Sequence, residues 1–274
     1  KLGIPHTAAF HCQPENITFT LHLGNSKRVN DFVYNRFRDS FFNRFTHIHC
    51  PSNMIADQLR QHGYTAQLHV ISNGISPEYT YGKREKEPWM QGFFNVLMVG
   101  RYAGEKRQDE LIDACAKSRH AQEIQVILAG KGPLEKKYRK LAEKLPNPIV
   151  MSFYEPARLL EILHMADLYV HTSDAEIEAM SCMEAFACGL VPVIADSPRS
   201  ATPQFALDER SLFPAGDTDA LAARIDWWIE HPEERREMER RYAEHARQYS
   251  LAESIRRTEE MFRQAIAEQR GARA

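Results

Sequence analysis

From residue 93 onward the chain repeats one pattern: a short apolar run, a break, then a stretch with helical spacing. The apolar runs are "FFNVLMVG", "IQVILAG", "IVMSF", "DLYVHTS" and "LVPVIAD", and between them lie "RQDELIDACAKS", "LEKKYRKLAEKL" and "ARLLEILHMA". Strands that are apolar on both faces and alternate with helices specify a parallel sheet covered on both sides, an α/β fold. Such sheets bind ligands at the carboxyl ends of their strands. The segments "GRYAGEK", "GKGP", "SDAEIEAM" and "ADSPRSAT" each follow a strand, so all four are expected at that edge.

Upstream the same grammar is shorter. "IPHTAAFH" reads as a strand entering a turn at "CQPEN", and residues 27–48 as a helix running into a strand. "HIHC" is a strand, followed by the helix "SNMIADQLRQHG" with Ser52 as N-cap and Gly63 as its stop. "LHVISNG" is a further strand closing in an Asn-Gly turn, and residues 75–92, with Pro77, Gly82, Pro88 and "KREKE", form a linker. The tail from 217 is helical and charged, with Ser250 and Glu253 as a capping box. The expected domains are 1–82, 83–248 and a C-terminal helix, 249–274, packing back toward the first.

Charge and cysteine usage exclude several classes. A formal net charge of −2 implies no general affinity for polyanions, and no nucleic-acid partner is expected. Five cysteines (12, 50, 115, 182 and 188) without a Cys-x-x-Cys pair argue against a disulfide framework and for a reducing compartment. No apolar run reaches the ~18 residues of a membrane span, and no signal peptide is visible. "HIHC" invites a metal reading, but no complementary Cys or His pair follows at zinc spacing, so no metal is expected.

Several residues stand out as site candidates. Arg101 directly follows a strand and Lys106 comes five residues later, a pair suited to a diphosphate, although solvated loops carry Lys and Arg too. Gly130 and Gly132 mark a close backbone approach to a flat ligand or a tight strand–helix turn. A helix starting near Ala179–Met180 would offer free N–H groups and a favourable dipole to an anion. Glu176 and Glu184 flank that start as acceptors for sugar hydroxyls; alternatively, Glu176 and Glu178 complement the helix dipole and Glu184 is solvated. His11 lies at a strand end, unassigned by spacing alone. Segment 27–45 mixes five Lys/Arg with six aromatics, as a membrane-surface helix or a core helix with solvated arginines would.

Together "VISNGI", "VGRYAGEK", "ILAGKGP", "ADLYVHTSDAE" and "MEAFACGLVPVIA" resemble, in order and spacing, the retaining glycosyltransferases of family 4. That resemblance implies the GT-B fold, two Rossmann-like domains facing a cleft. The N-terminal domain would be incomplete, lacking roughly 100 residues. By the match to the Glu-x7-Glu motif, Glu176 would hold the donor sugar's hydroxyls and Glu184 the ribose. Arg101 and Lys106 would bind the diphosphate, and His11 would stand at the reaction centre. The family's Gly-Phe-Gly is replaced by Ile177-Glu178-Ala179, which puts sugar selectivity in question.

Within the family, "HTSDAEIEAMSCMEAFACGLVPVIADS" followed by "SATPQFALDERSLF" resembles bacterial diacylglycerol glucosyltransferases. The implied activity is retaining, metal-independent transfer of a hexose, glucose by this branch, from a UDP-sugar (UDP-glucose) to a membrane lipid. No cofactor is implied. The implied place is the cytoplasm, at the inner face of the cell membrane, with segment 27–45 on an anionic surface. The alternatives are a soluble or polyprenyl-linked saccharide acceptor, or a non-catalytic nucleotide-sugar-binding fragment.

Overall fold

The computed structural model describes residues 4–20, 23–24 and 26–271, which fall into two compact units. One gathers the described residues up to Gly74, Ala175–Glu178 and those from Tyr249 onward; the other comprises Ile75–Asp174 and Ala179–Gln248. Residues 75–82 thus group with the second unit.

The first unit opens with β1 (Ala8–Ala9), α1 (Pro14–Thr20), α2 (Lys27–Ser40), β2 (His47–Cys50), α3 (Asn53–Gln61) and β3 (Gln67–Val70). Its strands form a parallel sheet in the order β1-β2-β3, with Ala8 opposite Ile48 and Ile48 opposite Leu68. Phe10, Tyr34, Ile48, Ile55, Leu59 and Tyr64 make its core. Burying each such side chain contributes roughly 1.5–3 kcal/mol. Ser52 caps α3, its side chain accepting from the Ile55 N–H at 3.4 Å. Gly63, with φ +71°, ends the turn that follows. Segment 27–45 is helical only to Ser40, then tightens into a 3₁₀ turn at Phe42–Arg44.

The second unit contains β4 (Phe94–Val99), α4 (Gln108–Lys117), β5 (Ile124–Ala129), α5 (Glu135–Leu141), β6 (Val150–Ser152) and α6 (Pro156–Met165). It continues with β7 (Leu168–His171), α7 (Met180–Ala187), β8 (Pro192–Asp196), β9 (Leu212–Pro214), α8 (Thr218–Glu230) and α9 (Pro232–Ala246). Its strands are all parallel, in the order β6-β5-β4-β7-β8-β9. Counted within the unit this is 3-2-1-4-5-6, the doubly wound dinucleotide-fold order, whose topological switch lies between β4 and β7. The apolar runs dictate it, since Val96, Leu97, Ile127, Leu168 and Val170 are buried under helices on both faces. The short strand β9 has no counterpart in the sequence reading.

The last helix, α10 (Leu251–Gly271), belongs to the first unit. There the Arg257 guanidinium donates to the Val70 carbonyl at 2.8 Å, and Glu268 meets His47 at 3.0 Å. Among the described residues no helix is long and apolar enough to cross a membrane.

Candidate active site

Two loops leave the sheet at its switch point, one after β4 and one after β7, and the expected phosphate-binding residues lie on the first. Gly100 extends the ladder by donating to the Ala129 carbonyl at 2.9 Å, and Tyr102 donates its N–H to Lys131 O at 3.1 Å. Tyr102 is fully buried and its hydroxyl donates to Leu128 O at 2.8 Å, nailing the loop to β5. Arg101 on this anchored loop is 62% exposed and paired with the buried Glu105 carboxylate at 3.0 Å. That pairing presets the guanidinium while leaving it open to a ligand. The Lys106 stem folds back toward Gly100, its Cδ 3.8 Å from where a Cβ on that glycine would stand. Both cations therefore border the end of β4.

Gly130 and Gly132 sit beside this loop for a packing reason. A Cβ on Gly130 would overlap the Gly100 carbonyl, and one on Gly132 would lie 2.5 Å from Tyr102 O and 2.7 Å from Tyr102 N. The close approach these glycines allow is to the protein's own backbone, that of the Arg101 loop, rather than to a flat ligand.

The loop after β7 is stitched to the same place. Thr172 Oγ1 donates to the carbonyls of Lys106 (2.8 Å) and Arg107 (2.9 Å), and Asp174 N–H donates to Glu105 O at 2.8 Å. Asp174 in turn accepts from Ser197 Oγ at 2.9 Å and pairs with Arg199. Helix α7 starts at Met180, and Ser181 in its first turn donates to Val99 O at 3.3 Å. The helix N-terminus is thereby held at the end of β4, beside the Arg101 loop. No side chain caps it, and Ala179 takes a left-handed conformation, φ 64°, ψ 65°. Two cations and an open helix N-terminus at one strand end favour an anion with several oxygens.

Glu184 lies one turn into α7. Burial and the neighbouring Glu78 push its pKa up to about 7. Among the described residues no donor or cation pairs with its carboxylate, which leaves it able to accept from a ligand's hydroxyls.

His11 and Glu176 belong to the first unit. His11 follows β1 and is exposed, with its ring 5.1 Å from that of His49; partial desolvation and, after it, His49 lower its pKa below the usual histidine value, which favours the neutral ring at pH 7. Glu176 is 8% exposed and precedes Ile177, which packs on that unit's core. Glu178 is buried and accepts from the backbone and side-chain amides of Asn73, so it does not serve the helix dipole. His47 bonds His69 and Glu268, and His49 bonds Ile71 O. No group of three or more His, Cys, Asp or Glu among the described residues is arranged to hold a metal ion.

The sequence reading missed Tyr102, Glu105 and Thr172. Tyr102 and Thr172 fix the β4 loop by hydrogen bonds to backbone carbonyls and Glu105 holds the Arg101 side chain, and the only sequence signal of the three is a polar or large side chain in a loop after a strand.

The sequence and the fold match known proteins. Residues 82–248 match the family described as glycosyl transferases group 1, and residues 1–79 match Glycosyltransferase Family 4. The chain is 50% identical to the catalytic domain of cholesterol-α-glucosyltransferase from Helicobacter pylori, with a TM-score of 0.56, over 57% of this chain and 99% of that one. It is 20% identical to Anabaena HepE, whose structure holds UDP and glucose, with a TM-score of 0.76 over 95% of this chain and 72% of that one. It is 32% identical over 158 residues to a GDP-mannose-dependent α-mannosyltransferase of Corynebacterium glutamicum, covering 56% of this chain and 36% of that protein. The chain spans 36% and 54% of the lengths of the two curated relatives it matches.

Proposed function

The chain belongs to the group 1 glycosyl transferases and has the GT-B fold, and we propose that its second unit holds the UDP-sugar donor of a retaining glucosyl transfer to a lipid hydroxyl. One observation carries the donor reading: Arg101, Lys106 and the uncapped start of α7 converge on the end of β4 at the switch point. A diphosphate seated there meets fixed positive charge as it departs, the preorganised electrostatic help that usually dominates catalysis. Glu184 then takes the ribose hydroxyls. To Glu176 we assign the donor sugar's hydroxyls, and to the neutral His11 a hydrogen bond toward the reacting sugar. In retention of this kind the acceptor approaches from the leaving-group face, and a phosphate oxygen assists its deprotonation.

Glucose and a lipid acceptor are favoured by the 50% identity to a cholesterol-α-glucosyltransferase domain. The surface of α2 fits a lipid-facing role, because Arg28, Phe32 and Arg36 recur on one exposed stripe, with Phe41 and Arg44 beyond it. Apolar side chains set among cations suit an anionic membrane surface. The place this implies is the inner face of the cell membrane.

Calorimetric titration of the chain with UDP, with GDP as control, tests the donor site. Binding of UDP is expected, weakened roughly tenfold or more by Arg101→Ala or Glu184→Ala, since each removes a charge-assisted hydrogen bond. Preference for GDP overturns the uridine assignment. Absence of binding by folded protein overturns the site.

A further inference from the structure

The second unit carries a strongly basic pocket of about 270 Å³ at the opposite edge of its sheet from the β4 loop. It is walled by residues 81–86, the end of α6 with Asp167 just ahead of β7, and α9. Lys83, Arg84, Lys86, Arg235, Arg236 and Arg240 line it, against only two carboxylates, Asp167 and Glu239. Both carboxylates are already engaged: Lys86 meets Asp167 at 2.6 Å and Lys83 meets Glu239 at 3.0 Å. Arg84 and Arg236 are paired with Glu161 and Glu233, neither of which lines the pocket. Arg235 shares Glu239 at 3.9 Å, which leaves three cations, Arg84, Arg236 and Arg240, without a counter-charge in the wall.

Arg235 gives the pocket a reason to bind. Its side chain is 14% exposed, lies over the Phe94 ring and donates one Nη to Trp228 O at 2.5 Å. Its Nε is buried and, 3.9 Å from Glu239 Oε1, too far to donate a hydrogen bond to it or to any other acceptor among the described residues. A buried donor without a hydrogen-bond partner is destabilising, and an acceptor delivered by a ligand would satisfy it. Burial also lowers the pKa of Arg235, so a nearby anion would favour its charged form.

We propose that this pocket is a second anion site, distinct from the diphosphate-binding loop, which takes a phosphate group on Arg235, Arg236 and Arg240. The source is either a soluble phosphorylated compound or a phospholipid headgroup, since both present the same oxygens. The site does not depend on the donor reading.

The test starts from the Arg101→Ala/Lys106→Ala chain, in which the loop cations are gone, so that pyrophosphate binding reports the pocket alone. Calorimetry is expected to show pyrophosphate bound, at least tenfold more weakly after adding Arg236→Ala/Arg240→Ala, two exposed positions on α9. Arg240→Glu should abolish it, with the circular dichroism unchanged. Flotation with phosphatidic acid vesicles, against phosphatidylcholine alone, separates the sources. Vesicle capture lost in the α9 variants, without pyrophosphate binding, assigns a headgroup; pyrophosphate binding without capture assigns a soluble ligand. If neither probe binds, or binding survives both α9 variants, the proposal is overturned.

Discussion

Glu178 accepts two hydrogen bonds from Asn73, one from its backbone N–H at 2.9 Å and one from its side-chain amide at 2.6 Å. The carboxylate is 1% exposed, and burial raises its pKa although these donors oppose the shift. It fastens the turn after β3 to the 175–178 segment within the first unit. Glu178→Ala would leave both part-buried donors unpaired, at a cost of about 1–3 kcal/mol. Glu178→Gln keeps one acceptor oxygen and should cost about half as much. Urea unfolding of the two variants measures this, and a loss below ~0.5 kcal/mol for the alanine would show that the pair is idle.

Ala179 should be improvable. At φ 64° it occupies a region that costs a residue with a Cβ roughly 1–2 kcal/mol. Glycine removes that cost but adds about 0.4–1 kcal/mol of unfolded-state entropy. Ala179→Gly is therefore expected to stabilise the chain by about 0.5–1 kcal/mol, and Ala179→Val to destabilise it. A melting temperature that falls for glycine would mean that the left-handed turn is not maintained in solution.

These two positions show what the sequence carried. The alternation of apolar runs with helices was enough for the α/β class and for placing Arg101, Lys106 and Met180 at strand ends. It also placed the resemblance, because "VGRYAGEK" and the Glu176/Glu184 spacing are local strings. What it lacked were facts that exist only after folding. Glu178 reads as one more acid before a helix, since its partner Asn73 is 105 residues away. Strand β9 is three residues long, and its pairing with β8 rather than its composition makes it a strand. Ala179 is unremarkable in a string, and its φ is imposed by the turn into α7.

Gly132 tests whether the Arg101 loop depends on close packing. Its Cβ position is occupied by backbone atoms of Tyr102, which cannot move aside as a flexible side chain would. Gly132→Ala should cost about 1–3 kcal/mol by overpacking and shift the loop that presents Arg101. UDP binding should fall by more than stability alone explains, as calorimetry at a temperature where the variant is fully folded would show. Wild-type affinity in a destabilised variant would separate the loop from the site.

Glu184 makes a prediction with a definite sign. Its carboxyl titrates near 4.5 when unfolded and near 7 in the folded chain. Between those values the folded state holds the proton that the unfolded state has lost. Stability from this group is therefore greatest below about pH 4.5 and declines as pH rises to about 7. Glu184→Gln, which cannot ionise, should flatten that decline, so the variant's stability relative to wild type should rise from pH 5 to pH 7.5. Ligand binding should run the other way. A ribose diol donates to the ionised carboxylate, so UDP affinity should increase from pH 6 to pH 8, with protons released on binding near pH 7 and detected as a buffer-dependent enthalpy. In Glu184→Gln both the pH dependence and the proton release should shrink together. If stability loses its slope but UDP binding keeps its own, Glu184 is only a half-buried acid of the second unit and the nucleotide lies elsewhere.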